Sequence, residues 1–155
     1  MAQLSDKIAV VTGGTQGLGA AIGRLFAERD AAGLVLCGRS RAKGEAMAAE
    51  IAGLGRTRVV FVPADLGVVA DCRQVIATAE REFGRVDILV NAAGLTDRGT
   101  ILDTSPELFD RLFAVNVRAP FYLMQETIAL MRRVGSAGSI VNIGSMSAEA
   151  GQPFI

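Results

Sequence analysis

The feature that most constrains this chain is a glycine-rich stretch over residues 12–19, between a short apolar run and a segment with helical spacing. Strand, glycine turn and helix in this order are typical of a dinucleotide-binding unit, although a turn without a ligand is the alternative. We expect Gly13 to turn the chain off the strand, Gly17 to let backbone approach a pyrophosphate, and Gly19 to let the helix pack closely on the sheet. The helix would direct unpaired N–H groups and its positive dipole end at the phosphates. The cofactor-binding candidates in this stretch are Gly13, Thr15, Gln16, Gly17, Leu18 and Gly19.

Composition excludes several classes of function. The 155 residues are 50% apolar and 21% charged, which is typical of one globular domain. A net charge of zero argues against a nucleic-acid surface. The first residues show no basic region followed by an apolar core, and no apolar run reaches membrane-spanning length, so we expect neither a secretory signal nor a membrane span. Because the chain has no histidine, we expect no Ser-His-Asp hydrolysis and no metal site. Cys37 and Cys72 are predicted to be free thiols, which favours the cytoplasm.

Strand and helix patterns alternate along the whole chain. The predicted strands are 8–11, 33–37, 59–62, 86–90 and 139–143. The predicted helices are 17–30, 40–52, 68–83 and 105–134, and Ser40 is expected to be the N-cap of the second. Apolar runs without polar alternation indicate strands buried on both faces. We therefore predict an α/β, Rossmann-like doubly wound parallel sheet in the order 3-2-1-4-5, with helices on both faces. Its ligand crevice would lie at the carboxyl ends of strands one and four.

Two positions after the outer strands bear on the cofactor. Asp65 can accept a hydrogen bond from an adenine amino group, and Leu66 offers a backbone N–H, but a helix N-cap explains Asp65 equally well. After strand two, Gly38 stands where cofactors without a 2′-phosphate usually meet an acidic residue, and Arg39 follows. A guanidinium beside a small residue suits a 2′-phosphate, so NADP(H) is favoured over NAD(H). The alternative for Arg39 is an ordinary solvated arginine.

The ends of strands four and five supply further candidates. Small residues after strand four leave room for a ribose and a flat ring, or else mark a closely packed strand end; they are Asn91, Ala92, Ala93 and Gly94. Ser145 can place a hydroxyl beside a substrate carbonyl, or it is a polar loop residue. Asn116 lies in a helix four residues before Pro120, which has no N–H to bond its carbonyl. We expect a kink there and an ordered water at that carbonyl, the alternative being a kink that follows the sheet.

Together these residues resemble the classical short-chain dehydrogenase/reductase family. The T-G-x-x-x-G-x-G pattern spans 12–19, the adenine-site aspartate matches Asp65, and N-A-G matches the strand-four end. Asn116 and Ser145 match the family's helix asparagine and catalytic serine. The resemblance covers the chain in the right order and implies that these two residues are catalytic. Ala92 replaces a usual asparagine and Gly144 a usual serine, which are mild departures.

The family's Tyr-x-x-x-Lys motif would fall about thirteen residues after Ser145, beyond Ile155. Tyr122 has no lysine four residues later, so we interpret it as a packing or interface residue. The chain is therefore expected to be one dinucleotide-binding domain, residues 1–155, from the front of a longer enzyme.

The resemblance implies an NAD(P)-dependent oxidoreductase that interconverts a carbonyl and a secondary alcohol by hydride transfer. It also implies a small-molecule substrate and a homodimer or homotetramer formed through the helix over 109–133. The zero net charge and the lack of a long apolar run lead us to expect neither nucleic acid nor membrane as partner. One alternative is a truncated, inactive nucleotide-binding or regulatory module. Another is a scaffold subunit that pairs with an active relative.

Overall fold

The computed structural model describes residues 4–146. Its strands are β1 (Ile8–Thr12), β2 (Gly33–Gly38), β3 (Arg58–Pro63), β4 (Ile88–Asn91) and β5 (Ser139–Asn142). Its helices are α1 (Gly17–Glu28), α2 (Arg41–Ala52), α3 (Val69–Phe83), α4 (Pro106–Phe113) and α5 (Ala119–Val134), and a π-helical segment (Ala114–Arg118) joins α4 to α5. No helix within residues 4–146 combines the length and the hydropathy needed to cross a bilayer.

The strands form one parallel sheet in the order β3-β2-β1-β4-β5, which confirms the predicted topology. At its centre Val10 is paired with Val35 of β2 and Leu89 of β4. Successive residues of β1 belong to different apolar clusters: Val10 packs with α3 and α5, whereas Val11 packs with α1 and α2. Burial on both faces is the reason that residues 8–11 of β1 and 34–37 of β2 are apolar at every position.

Most helix ends follow local sequence. The Ser40 hydroxyl accepts a hydrogen bond from the Lys43 N–H at 3.4 Å, as its prediction as an N-cap requires. Gly84 ends α3 in the left-handed conformation, with φ of 76°. The first helix ends two residues before its predicted end at residue 30, because Asp30 has φ of 59° and cannot continue an α-helix.

The predicted single helix over 105–134 is wrong in its interior. The Ala119 N–H donates to the Ala114 carbonyl, five residues back, which is the hydrogen bond of a π-helix. Pro120 lacks the N–H that would close a normal turn on the Asn116 carbonyl. A π-helical turn, which is wider than an α-helical one, therefore occupies the position where the sequence predicted only a kink.

Asp87 joins the amino ends of β1 and β4. Its side chain is 3% exposed, and its Oδ2 accepts the Ile8 N–H at 2.8 Å. Its Oδ1 accepts the Arg85 Nε at 3.0 Å and also a second Arg85 nitrogen. The main chain adds a bond from the Asp87 N–H to the Ile8 carbonyl. Both carboxylate oxygens are therefore satisfied by donors.

We expect Asp87→Asn to destabilise the fold, because one amide N–H₂ must then face either the Ile8 N–H or the Arg85 guanidinium. A buried donor without an acceptor lowers the free energy of unfolding by about 1–3 kcal/mol. Urea titration of the wild type and the variant measures this difference. Asp110→Asn, at an exposed position on α4, is the control and should change stability by less than about 0.5 kcal/mol. Equal stability of the two variants would contradict the role of Asp87.

Candidate functional site

A cleft opens at the carboxyl edge of the sheet, where β1 to β4 end. Every cofactor-binding residue predicted from the sequence lines it except Asn91. The cleft is also lined by five residues that were not among those candidates: Gly38, Ala64, Leu95, Arg111 and Val115. The topology therefore brings loops from four separate strands to one place, as a parallel sheet with this strand order requires.

Gly13 and Gly19 make close approaches within and beside the glycine turn, whereas Gly17 faces open space. Gly13 has φ of 67°, and a Cβ there would lie 2.9 Å from the Ala93 Cα. Gly17, the first residue of α1, has φ of 55°, and a Cβ there would meet no heavy atom within 4 Å. The open space lies at the helix N-terminus, where an anion is stabilised. At Gly19 a Cβ would lie 2.4 Å from the Gly13 carbonyl oxygen, so the closest packing is on the turn itself.

Thr12 holds the turn against the end of β4. Its hydroxyl is buried and accepts hydrogen bonds from the N–H groups of Ala92 and Ala93, each at 3.0 Å. The contact joins two walls of the cleft. Thr12 opens the glycine pattern in the sequence, but nothing local identifies partners 80 residues away.

Asn91 lies beside the cleft and not in its lining. Its Nδ2 donates to the Asn142 Oδ1 at 2.8 Å, across the register that pairs β4 with β5. The buried Asn91 Oδ1 has no hydrogen-bond partner among residues 4–146. Asn91 therefore joins the two strands, and its predicted contact with the cofactor stays a prediction.

Asp65 is not a helix N-cap, since α3 begins at Val69 with Val68 in the cap position. Its Oδ1 accepts the Gly67 N–H at 2.9 Å and the Arg111 Nη2 at 2.7 Å. The Arg111 hydrogen bond lowers the pKa of the Asp65 carboxyl below its usual value, so the group is ionised at neutral pH. This carboxylate is therefore available on the cleft wall as an acceptor.

Arg39 is exposed on the cleft wall and takes part in none of the ion pairs formed within residues 4–146. Beside it, a Cβ on Gly38 would lie 2.8 Å from the Thr15 Cγ2, so a side chain at position 38 would require Thr15 to shift. An acidic side chain cannot occupy position 38 without moving Thr15. The cleft thus presents a guanidinium and no carboxylate at the end of β2.

Asn116 fixes the loop that follows Gly94. Its Oδ1 accepts the Leu95 N–H at 2.8 Å, and its Nδ2 donates to the Leu95 carbonyl at 2.7 Å. The sequence predicted a role for the Asn116 main-chain carbonyl and missed this side-chain pair. The water proposed at that carbonyl stays a prediction.

Ser145 and Tyr122 were assigned different roles. Ser145 is exposed three residues after β5, at the same sheet edge as the cleft, and its catalytic role stays a prediction.

Tyr122 packs on the core cluster, with its ring edge-on to Phe121 at 5.4 Å and the Arg73 guanidinium 5.6 Å from its centroid. The interpretation of Tyr122 as a packing residue is confirmed.

Residues 4–146 contain neither a reactive thiol nor a metal-binding cluster of side chains. Cys37 and Cys72 are free and buried. Burial raises the pKa of the Cys37 thiol to about 12 and that of the Cys72 thiol to about 11. Both thiols are therefore protonated and weakly nucleophilic at neutral pH. Residues 4–146 contain no cluster of three acidic, histidine or cysteine side chains that could hold a metal ion.

A family model described as short chain dehydrogenase matches residues 7–155. The short-chain dehydrogenase/reductase FrzI of Cladobotryum sp is 39% identical over 148 residues, which are 96% of this chain and 56% of that protein. The NADP-dependent (R)-specific alcohol dehydrogenase of Lentilactobacillus kefiri is 35% identical over 99% of this chain and 60% of its own length. The chain thus spans a little over half the length of these relatives.

A solved structure of a metagenomic short-chain oxidoreductase in complex with NADP superposes with a TM-score of 0.88 at 32% identity. The alignment covers 97% of this chain and 67% of that one. Sequence and fold agree along nearly the whole chain. The chain belongs to the short-chain dehydrogenase family.

Proposed function

We propose that this chain is the dinucleotide-binding domain of an NAD(P)-dependent oxidoreductase that interconverts a carbonyl and a secondary alcohol. The observation that carries the proposal is the cleft, which gathers the glycine turn, the Asp65 carboxylate and the small residues after β4 at one sheet edge. Family membership supports hydride chemistry over a nucleotide-binding module without catalysis. It does not distinguish among carbonyl substrates.

The proposed roles follow from where each group lies. The main chain at Gly17 and the N-terminus of α1 would bind the pyrophosphate, and Asp65 with Leu66 would bind the adenine. Ser145 would donate a hydrogen bond to the substrate carbonyl, and Asn116 would support the proton path while holding the Leu95 loop. The cofactor, when bound, supplies or accepts the hydride.

NADP(H) is the proposed cofactor. Arg39 offers a guanidinium, and the lack of space at Gly38 keeps a carboxylate away from the ribose. The names of the Lentilactobacillus relative and of the metagenomic structure both mention NADP. Two free cysteines support a reducing compartment, and we propose the cytoplasm.

A second copy of this chain is the proposed macromolecular partner. One face of α4 and its continuation carries large apolar side chains that are each 51–57% exposed: Phe109, Phe113, Val117 and Phe121. Phe113, Val117 and Phe121 also line a shallow groove on this surface. A contiguous apolar patch of this kind is typical of an interaction site, and a two-fold contact would cover it on both copies.

We expect the full-length protein to oxidise NADPH with at least one member of a panel of ketones. Ser145→Ala should lower kcat by at least about 100-fold, because a hydrogen-bond donor to the developing oxyanion is lost. Ser139→Ala, at the other end of β5, is the matched control and should retain full activity. Tight NADPH binding with no turnover of any panel member would instead support the inactive module.

Arg39→Gln should raise the Kd for NADPH roughly 10- to 100-fold and leave that for NADH nearly unchanged, since one charge-assisted contact with a phosphate is lost. Fluorescence titration of both reduced cofactors measures the two values. Arg41→Gln is the control, because Arg41 pairs with Glu45 at 3.1 Å on α2. Equal losses for both cofactors would contradict the assignment of Arg39.

Phe113→Arg should weaken self-association at least about 100-fold, because a charge enters the centre of the apolar patch. Sedimentation velocity at micromolar concentration measures the effect. Ile101→Arg replaces a 95% exposed apolar residue outside the patch and should leave assembly unchanged. A wild-type protein that sediments as a monomer would rule out this interface.

A further inference from the structure

Two arginines of the α4–π–α5 helix bond the turn that carries Asp65. Arg111 donates to the Asp65 Oδ1 at 2.7 Å, and Arg118 donates to the Gly67 carbonyl oxygen at 2.8 Å. From the other side, the Asp71 carboxylate accepts the Asp65 N–H at 2.7 Å. The main chain of the turn and the carboxylate are thus held by separate contacts.

The hydrogen bonds of the Asp65 carboxylate all fall on one oxygen. Oδ1 accepts from both Gly67 and Arg111, whereas no group within residues 4–146 donates to Oδ2. The side chain lines the cleft and is 39% exposed. Two donors on Oδ1 restrict rotation of the carboxylate and leave Oδ2 as the acceptor available to a ligand.

Gly67 leaves the space that the Arg111 guanidinium occupies. A Cβ at position 67 would lie 2.0 Å from the Arg111 Nη1 and 2.9 Å from its Cζ. Any side chain there must displace the guanidinium from the carboxylate. The glycine at position 67 is therefore what makes room for the guanidinium of Arg111, although the two residues are 44 positions apart along the chain.

We propose that Arg111 is a positioning residue that makes the cleft select a 6-aminopurine over a 6-oxopurine, an inference that rests on the proposed dinucleotide function. An adenine amino group donates to a carboxylate oxygen, whereas the 6-oxo group of hypoxanthine is an acceptor and is repelled by it. Selection requires that Oδ2 keep one direction, and Arg111 provides that constraint. Without Arg111 only the Gly67 N–H holds Oδ1, so the carboxylate rotates more freely and the energetic difference between the two bases decreases.

The test compares NADPH with its hypoxanthine analogue, reduced nicotinamide hypoxanthine dinucleotide phosphate, by fluorescence titration. The wild-type protein should bind NADPH at least about tenfold more tightly than the analogue. Arg111→Met and Asp65→Asn should each reduce that preference to about threefold or less, and Arg111→Lys should restore part of it. Arg118→Met is the matched control, since Arg118 bonds the turn but not the carboxylate, and it should keep the wild-type preference.

Gly67→Ala provides a second route, because it displaces the guanidinium without removing any charge and should produce the same loss of preference. Thermal melting of each variant identifies any that fail to fold. An unchanged preference in folded Arg111→Met or Gly67→Ala would overturn the inference. So would a loss of NADPH binding relative to NADH in Arg111→Met, since that result would mean that Arg111 binds the phosphate directly. Wild-type protein that binds neither NADPH nor NADH would refute the proposed function itself.

Discussion

The cleft depends on the pairing of β1 with β4, which side chains hold at both ends. At the amino ends the Asp87 carboxylate accepts the Ile8 N–H. At the carboxyl ends the Thr12 hydroxyl accepts the N–H groups of Ala92 and Ala93. Because the strand order reverses direction at β1, the loops after these two strands form facing walls. The Thr12 contacts therefore join these two walls directly, while Asp87 secures the opposite end of the strand pair.

Main chain and small residues form most of the cleft, and few charged side chains enter it. Glycine and alanine line the walls after β1 and β4, which lets a flat or phosphorylated group approach the backbone closely. Charge enters at three places only among the lining residues of the described chain, namely Arg39, Asp65 and Arg111. Under the proposed function, these three side chains would discriminate among cofactors, whereas the phosphates and ribose would contact mainly the backbone.

The α4–π–α5 helix links the cleft to the outer surface. Arg111 and Val115 line the cleft, Asn116 bonds the loop after β4, and Phe113 and Val117 face outward. The π turn lies between these groups, where Pro120 removes the normal hydrogen bond. Its wider turn changes the direction in which the side chains of α5 point relative to those of α4.

The element order, the parallel sheet and the loops of the cleft were predictable from sequence, because apolar periodicity, caps such as Ser40 and the glycine turn act within a few residues of the chain. Only the tertiary structure decided that Arg111 bonds Asp65, that Thr12 bonds Ala93 and that Asn91 bonds β5 instead of lining the cleft. Strand register and helix phase select these partners from 46 to 81 residues away. No local pattern records either quantity, since both result from the packing of the whole sheet.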